Sequence, residues 1–286
     1  MQNGNNNLLK RATGLLVLEV VNSNPNGDPD NESDPRTRVG NYGEISPVSF
    51  KRKVRDLVEQ KDGPVWQAMA DAFKPALVAE EFDILEKRGR DRQEILAMAE
   101  DAFTRRYWDA RLFGATFLEE KSAMPIKTGV VQFGMGLSVA PVEIQRLTLT
   151  SKSGVQKDKD RGMAPLGYRV VQHGVYTMPF FVNPTAALKS GCNERDLQLL
   201  LKLIPYAYTH TASFVRPDVR LRHAWYVEHK SALGSCPDSL LIDALTPRKP
   251  AEAGEPSKSW NDYDVPSALP GELMQRVQSC VDLTVS

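Results

Sequence analysis

A run of apolar and β-branched residues at 14–22 (Gly-Leu-Leu-Val-Leu-Glu-Val-Val-Asn) stops at Asn24-Pro-Asn-Gly-Asp-Pro-Asp30, and turn formers continue to Pro35. The first stretch suits a strand buried in the middle of a sheet. The second suits neither helix nor central strand: proline removes a backbone donor, while Asn, Asp and Gly favour turns. The chain must therefore leave a central strand through a long surface loop. A loop of this length in a compact domain carries function or stays disordered.

A helix is predicted next, over 46–60. Ser46 caps it, Pro47 suits its first turn, and Phe50, Val54, Leu57 and Val58 form one apolar stripe. Lys51, Arg52 and Arg55 fall in one arc beside that stripe, with Lys53 on the other flank. Residues 62–117 read as a helical insertion: Trp66, Met69 and Phe73 share one face, and Leu96, Ala99, Phe103, Tyr107 and Ala110 another. Strand character returns at 127–139, 147–149, 168–181 and 221–229. A second capped helix is expected over 193–204, ended by Pro205. The polar stretch 150–165 between two strands predicts a protruding hairpin. Leu273, Val277 and Val281 suggest a short terminal helix. Without the insertions the order is β-α-β-β-α-β, the ferredoxin-like order. RNA-recognition domains share it and leave one sheet face open to nucleotides.

The chain of 286 residues carries 36 basic and 36 acidic side chains, but not evenly. Residues 36–55 hold six bases and one acid; residues 145–169 hold six bases and two acids; residues 231–286 hold four bases and eight acids. One face can thus attract an anion while another meets a basic neighbour. The longest apolar run is far short of the ~18 residues that mark a membrane span, and the polar start lacks a signal-peptide pattern. Three cysteines with no CxxC argue against a disulfide framework or a Cys-type zinc site. The expected setting is a reducing, intracellular one, the cytoplasm. No GxSxG, P-loop or HExxH occurs. His173, His210, His223 and His229 lack metal-ligand spacing and read as structural. The Cys192 thiol, just before a helix cap, is expected to be somewhat acidic.

Four stretches, in order, resemble the CRISPR-associated backbone proteins of type I Cascade surveillance complexes, in the RAMP superfamily, with type I-C the nearest subfamily. They are the loop Asn24 to Asp30; Val48-Ser-Phe-Lys-Arg-Lys-Val-Arg-Asp56; Asp109-Ala-Arg-Leu-Phe-Gly114; and Gly129-Val-Val-Gln-Phe-Gly134. The segment Lys157-Asp-Lys-Asp-Arg-Gly-Met163 is similar to the tip of that family's thumb hairpin. The resemblance implies an α+β fold: a modified RRM-like palm (1–61 with 118–149 and 166–235), helical fingers (62–117), a thumb hairpin (150–165) and an acidic C-terminal segment (236–286). It implies a non-catalytic, cofactor-free subunit that polymerises along the spacer of a CRISPR RNA and presents it to target DNA. The implied partners are crRNA, further copies of the chain, the large subunit, a crRNA-processing or end-capping subunit, and a recruited helicase-nuclease.

On this reading the RNA contacts are Asn24, Asn26, Arg36, Lys51, Arg52, Arg55, Gln132, Phe133, Arg146, Lys157, Lys159, Arg161 and Met163. The RNP1 pattern of ordinary RNA-recognition domains is absent, so a phosphate track with few base contacts is expected. Met163 is the candidate wedge between bases. The rival reading is a metal-dependent endoribonuclease that uses Asp28, Asp30 and Asp34, as type III relatives use an aspartate in a comparable loop.

Overall fold

The computed structural model describes residues 9–115, 127–151, 164–250 and 254–285, with the backbone alone for Lys127 and residues 149–151 and 164–166. In chain order its elements are β1 (Ala12–Ser23), β2 (Thr37–Arg38), β3 (Tyr42–Ile45), α1 (Pro47–Glu59), α2 (Pro64–Ala72), α3 (Arg92–Ala97), α4 (Glu100–Arg106), α5 (Trp108–Phe113), β4 (Gly114–Ala115), β5 (Lys127–Thr128), β6 (Val131–Phe133) and β7 (Gly136–Pro141). They continue with β8 (Ile144–Ser151), β9 (Ala164–Val182), α6 (Pro184–Ser190), α7 (Glu194–Leu203), β10 (Val219–His229), α8 (Asp238–Leu245), α9 (Gly271–Met274) and β11 (Val277–Asp282).

The fold is α+β, around one antiparallel sheet ordered β11-β10-β1-β9-β7-β3-β2. Its centre, β10-β1-β9-β7, is the strand order of a ferredoxin-like palm. β1 is the central strand the sequence predicts. It pairs with β10 from Ala12↔Glu228 to Val20↔Val219 and with β9 from Ala12↔Val182 to Ser23↔Val171. Both faces of β1 are buried, which explains its near-continuous apolar run. Leu16, Leu18 and Val20 enter the larger core, while Leu15 and Val17 enter a second one. The predicted strand 127–139 is three short pieces, β5, β6 and β7.

Helices α1 and α7 cover one face. Ser46 caps α1, its Oγ accepting from Ser49 N at 3.2 Å, and Phe50, Val54, Leu57 and Val58 are buried. Asn193 and Asp196 form a capping box on α7. The insertion packs here too: Trp66, Phe73, Phe82, Trp108 and Leu112 belong to the larger core. The shared face expected over 96–110 is broken at Met98, where ψ is 136°. Ile95 is buried in its place and Leu96 is 40% exposed.

The other face is closed, against the expectation of an open nucleotide platform. Leu241, Leu245, Tyr263, Leu269 and Val277 from the C-terminal segment pack on Leu15, Val17, Val175, Trp225 and Val227. The expected terminal helix is instead mostly strand, with β11 completing the edge beside β10. Three histidines fasten this segment. His173 bridges Ser257 Oγ (2.8 Å) and Glu19 Oε1 (3.3 Å), and His223 Nδ1 meets Asp282 Oδ2 at 2.7 Å. His229 Nδ1 accepts from Ser235 N at 3.1 Å, while its Nε2 lies 3.0 Å from Thr13 Oγ1. Thr13 in turn donates to Asp238 Oδ1 at 2.5 Å. No described helix is long and apolar enough to cross a membrane.

Candidate nucleic-acid interface

The four motif stretches meet around α1, and most of their polar residues are held by partners within the protein. Asn26 is buried and its Oδ1 accepts from Ser46 N (2.9 Å) and Ser46 Oγ (2.8 Å), tying the first loop to the cap of α1. Arg55 is buried too: its Nε donates to Asp109 Oδ2 at 2.8 Å, and Asp109 is 1% exposed. Asp109 Oδ1 also accepts from Leu85 N at 2.7 Å. Arg111 holds the buried Asp196 carboxylate at 2.7 and 3.0 Å. At Gly129 a Cβ would sit 2.1 Å from the Phe113 carbonyl carbon, so this glycine allows two backbones to touch. Phe133 is 7% exposed, with its ring 5.0 Å from Phe50 and 5.1 Å from Phe180.

These placements correct part of the expected contact set. Phe133 is core, because β6 turns it towards the helices while Gln132 points out. Gln132 Nε2 donates to Gly129 O at 3.1 Å and the side chain is otherwise exposed. Arg55 is withdrawn from the expected exposed arc by Asp109, a partner 54 residues away. Arg52 is half-buried, donating to Asp56 Oδ1 (2.6 Å), to Glu59 and to the Glu86 carbonyl (2.5 Å). Lys51 is half-buried over the Phe113 ring at 5.1 Å, and burial, then Arg55, pulls its pKa down. Arg36 is half-buried beside the first loop, its main chain bonded to Asn26 O. Lys157, Lys159, Arg161 and Met163 lie outside the described residues.

A basic cleft forms elsewhere, where three segments distant in sequence converge. The first loop supplies Asn24 and Asp34, the root of the β8–β9 hairpin supplies Arg146, Tyr168 and Arg169, and the loop before β10 supplies Val215 and Arg216. The cavity measures about 440 Å3. β8 and β9 pair from Ile144↔Val171 to Ser151↔Ala164, which brings Arg146 opposite Arg169. The Arg146 guanidinium lies over Gly167: a Cβ there would come within 3.2 Å of Nη2. Phe214, 64% exposed, rests on Tyr168 with ring centroids 5.1 Å apart. Arg216 Nε donates to the Asn24 main-chain oxygen at 3.1 Å. Among the described residues, neither Arg146 nor Arg216 meets a carboxylate, whereas Arg169 pairs with Asp34.

Lys53 adds to this charge from behind. It is buried over the Tyr208 ring at 5.2 Å, and burial, then Arg216, pushes its pKa down to about 8. Guanidinium groups in a fixed fork suit phosphate oxygens, and an exposed aromatic edge suits a base or sugar. Sequence reasoning missed Tyr168, Phe214 and Arg216, and counted Arg169 only as charge. None of the four sits in a local pattern, and only the sheet register unites them.

The acidic loop is engaged with itself. Asp28 Oδ1 accepts from Asp30 N at 3.3 Å, its main chain bonds Asp34, and Asp34 serves Arg169. Among the described residues, no three His, Cys, Asp or Glu side chains converge as metal ligands. Cys192 is not acidic. Burial, then Asp196, raises its pKa, so it rests as a thiol.

Set against known proteins, residues 10–268 match the family described as CRISPR-associated protein Cas7. No curated protein sequence matches the chain. Among solved structures, a chain of a CRISPR RNA-guided surveillance complex, pre-nicking, is similar at 16% identity and TM-score 0.45, over 75% of this chain and 78% of that one. A chain of another CRISPR RNA-guided surveillance complex gives 18% identity and TM-score 0.38, over 74% and 68%. A chain of a type III-B Cmr-beta complex bound to cognate target RNA gives 11% identity and TM-score 0.44, over 77% and 61%.

Proposed function

This chain belongs to the CRISPR-associated protein Cas7 family, and on that premise we propose that it is a non-catalytic, cofactor-free RNA-binding subunit. Copies of it line up along the spacer of a CRISPR RNA and present that guide for pairing with target DNA. The observation that carries this reading is the cleft at the hairpin root, where Arg146, Arg169 and Arg216 converge beside Tyr168 and Phe214. Its chemistry fits a sugar–phosphate chain: cations for phosphates, and an aromatic pair whose Phe214 ring is exposed. The closed second sheet face supports binding by backbone rather than by base identity.

We assign the palm to 1–61, 118–149 and 166–235, the fingers to 62–117, the thumb to 150–165 and a covering segment to 236–286. Lys157, Lys159, Arg161 and Met163 belong to the thumb tip in this assignment, with Arg36, Lys51, Arg52 and Gln132 as secondary contacts. The subtype is type I-C, on the motif set, and the site of action is the cytoplasm. The partners are crRNA, further copies, the large and end-capping subunits, and a helicase-nuclease.

The test is direct. The protein is purified from cells with and without a CRISPR array, and its 260/280 nm ratio and particle mass are measured. An RNA-loaded oligomer is expected. Each phosphate neutralised on a single strand contributes about −0.7 to the slope of log K against log salt. Changing Arg146, Arg169 and Arg216 to Ala should therefore flatten that slope by about 2. A monomer free of RNA, or a triple variant with the wild-type slope, overturns the reading.

A further inference from the structure

The basic cleft carries its own anion. Asp34 and Arg169 both line it, and they meet as an ion pair. The Arg169 side chain is 39% exposed and that of Asp34 12%, so the guanidinium is open to a ligand from solvent. Among the described residues Arg146 and Arg216, in the same cleft, meet no carboxylate. Asp34 thus neutralises one cation of three. The loop that delivers it is held in a form that side chains disfavour. Asp28 N donates to Asp34 O at 2.7 Å, Ser33 N to Asp28 O at 2.8 Å and Asp34 N to Asn31 O at 2.8 Å, which curls residues 28–34 back on themselves. In that curl Glu32 and Ser33 take φ angles of 48° and 61°, in succession and without glycine. Left-handed backbone costs free energy at each such residue and persists only where its surroundings fix it. Asn24 Nδ2, bonded to Ser33 O at 2.8 Å, and Arg169, paired with Asp34, are two of those surroundings.

A carboxylate beside an arginine either orients it for a ligand or occupies it. Where the contact falls separates the two. Arg216 is gripped at its neck: Nε donates to the Asn24 main-chain oxygen at 3.1 Å, and its terminal nitrogens take no part in that bond. Arg169 is met at its tip, where terminal Nη1 donates to Asp34 Oδ2, and Asp34 itself lines the cavity. The tip of the guanidinium is also where a phosphate oxygen binds. We propose that Asp34 is a built-in competitor for the cleft: its carboxylate occupies Arg169 in the free protein and must yield it to an RNA phosphate, which weakens RNA binding. A ligand with one phosphate gains little from that exchange. A chain that also engages Arg146 and Arg216 offsets it, so Asp34 biases the cleft towards polyanions. This inference rests on the RNA-binding reading above.

The test measures the affinity of the full chain for a uridine oligonucleotide in four proteins: unaltered, Asp34→Asn, Arg169→Ala and the pair. Asparagine keeps the shape of the side chain, and the curl is made by main-chain bonds, so the loop keeps its form; a melting curve checks it. Asp34→Asn should bind about two- to fivefold tighter, the weight of one partly exposed ion pair. The control is Glu32→Gln, which removes the same charge from the same cleft lining. Its gain should be smaller, and in the Arg169→Ala background Asp34→Asn should gain no more than that. Should Asp34→Asn not fold, Asp34→Ser takes its place in every arm. Binding that stays the same or weakens in Asp34→Asn overturns the proposal, because the carboxylate then orients Arg169 or is idle. A gain that Glu32→Gln matches, or that survives the loss of Arg169, overturns it too, because charge alone then explains it. If the unaltered protein binds no RNA even at low salt, the RNA-binding reading fails and takes this inference with it, a result distinct from RNA binding that Asp34→Asn leaves unchanged.

Discussion

Replacing Arg55 by Ala separates a structural cation from a ligand-binding one. The Arg55 side chain is 10% exposed and that of Asp109 is 1% exposed, with Nε and Oδ2 at 2.8 Å. Removing the guanidinium strands a buried carboxylate that keeps only its bonds from Leu85 N and Glu86 N. Breaking a buried pair from one side costs about 3–5 kcal/mol. The lost contact over the Phe113 ring, at 5.2 Å, adds about 0.5–1 kcal/mol. At about 2–4 °C per kcal/mol for a chain of this size, the melting temperature should fall by roughly 10 °C. RNA affinity should keep its salt slope, because no phosphate contact is lost. The assays are thermal melting by circular dichroism and RNA binding across a salt series, with Arg216→Ala as the comparison. Arg216→Ala should flatten the slope by about 0.7 with a smaller change in melting. Pairing Arg55→Met with Asp109→Leu should recover only part of the lost stability: no buried charge is left alone, but the Leu85 and Glu86 amides lose their acceptor. An Arg55→Ala protein that melts like the unaltered one and loses salt dependence would refute the buried-pair account.

Two further expectations follow from the same region and from the sheet. Lys53 has its pKa lowered to about 8. It therefore loses its proton in the free protein as pH rises past that value, while bound phosphate favours the charged form. RNA affinity should fall between pH 8 and 9.5, and Lys53→Met should remove that dependence. Protein stability should move the other way over the same window, rising with pH, because the unfolded chain holds this proton up to its ordinary pKa of 10.5. Ending the chain at residue 235 should uncover Leu15, Val17, Val175, Trp225 and Val227, seen as dye binding and loss of a monodisperse particle. A well-behaved truncated monomer would show that the second face tolerates water.

The readable part of the fold was the part written in local periodicity. The apolar run of β1, the stripe and cap of α1 and the cap of α7 each depend on near neighbours in sequence, and together they yield the palm order. What escaped depended on distant partners. Val277 and Val281 are four apart, a spacing that serves one helix face and one strand face equally; the free edge of β10 decided for strand. Arg55 falls on the same helical arc as Lys51, but an aspartate from the insertion withdrew it. The cleft had no local signature, since Asn24, Arg146, Tyr168 and Arg216 meet through the pairing of β1 with β9 and β10 and of β8 with β9. The motif stretches are tied together in the fold: Asn26 to the cap of α1, Arg55 to Asp109, and Gly129 against Phe113.

β9 has 19 residues, and its two ends are held differently. From Val171 to Val182 it lies against β1. From Ala164 to Val170 its partner is β8. Seven residues at about 3.3 Å each make an overhang of roughly 23 Å. In mechanical terms this is a cantilever: a beam clamped in the sheet and projecting as a two-stranded ribbon, which twists more readily than a full sheet. Arg146, Tyr168 and Arg169 stand near its fulcrum, where a small angular change is multiplied along the arm. The Asp34–Arg169 pair is a stay fixed at that fulcrum. A ligand that took Arg169 from Asp34 would remove that stay.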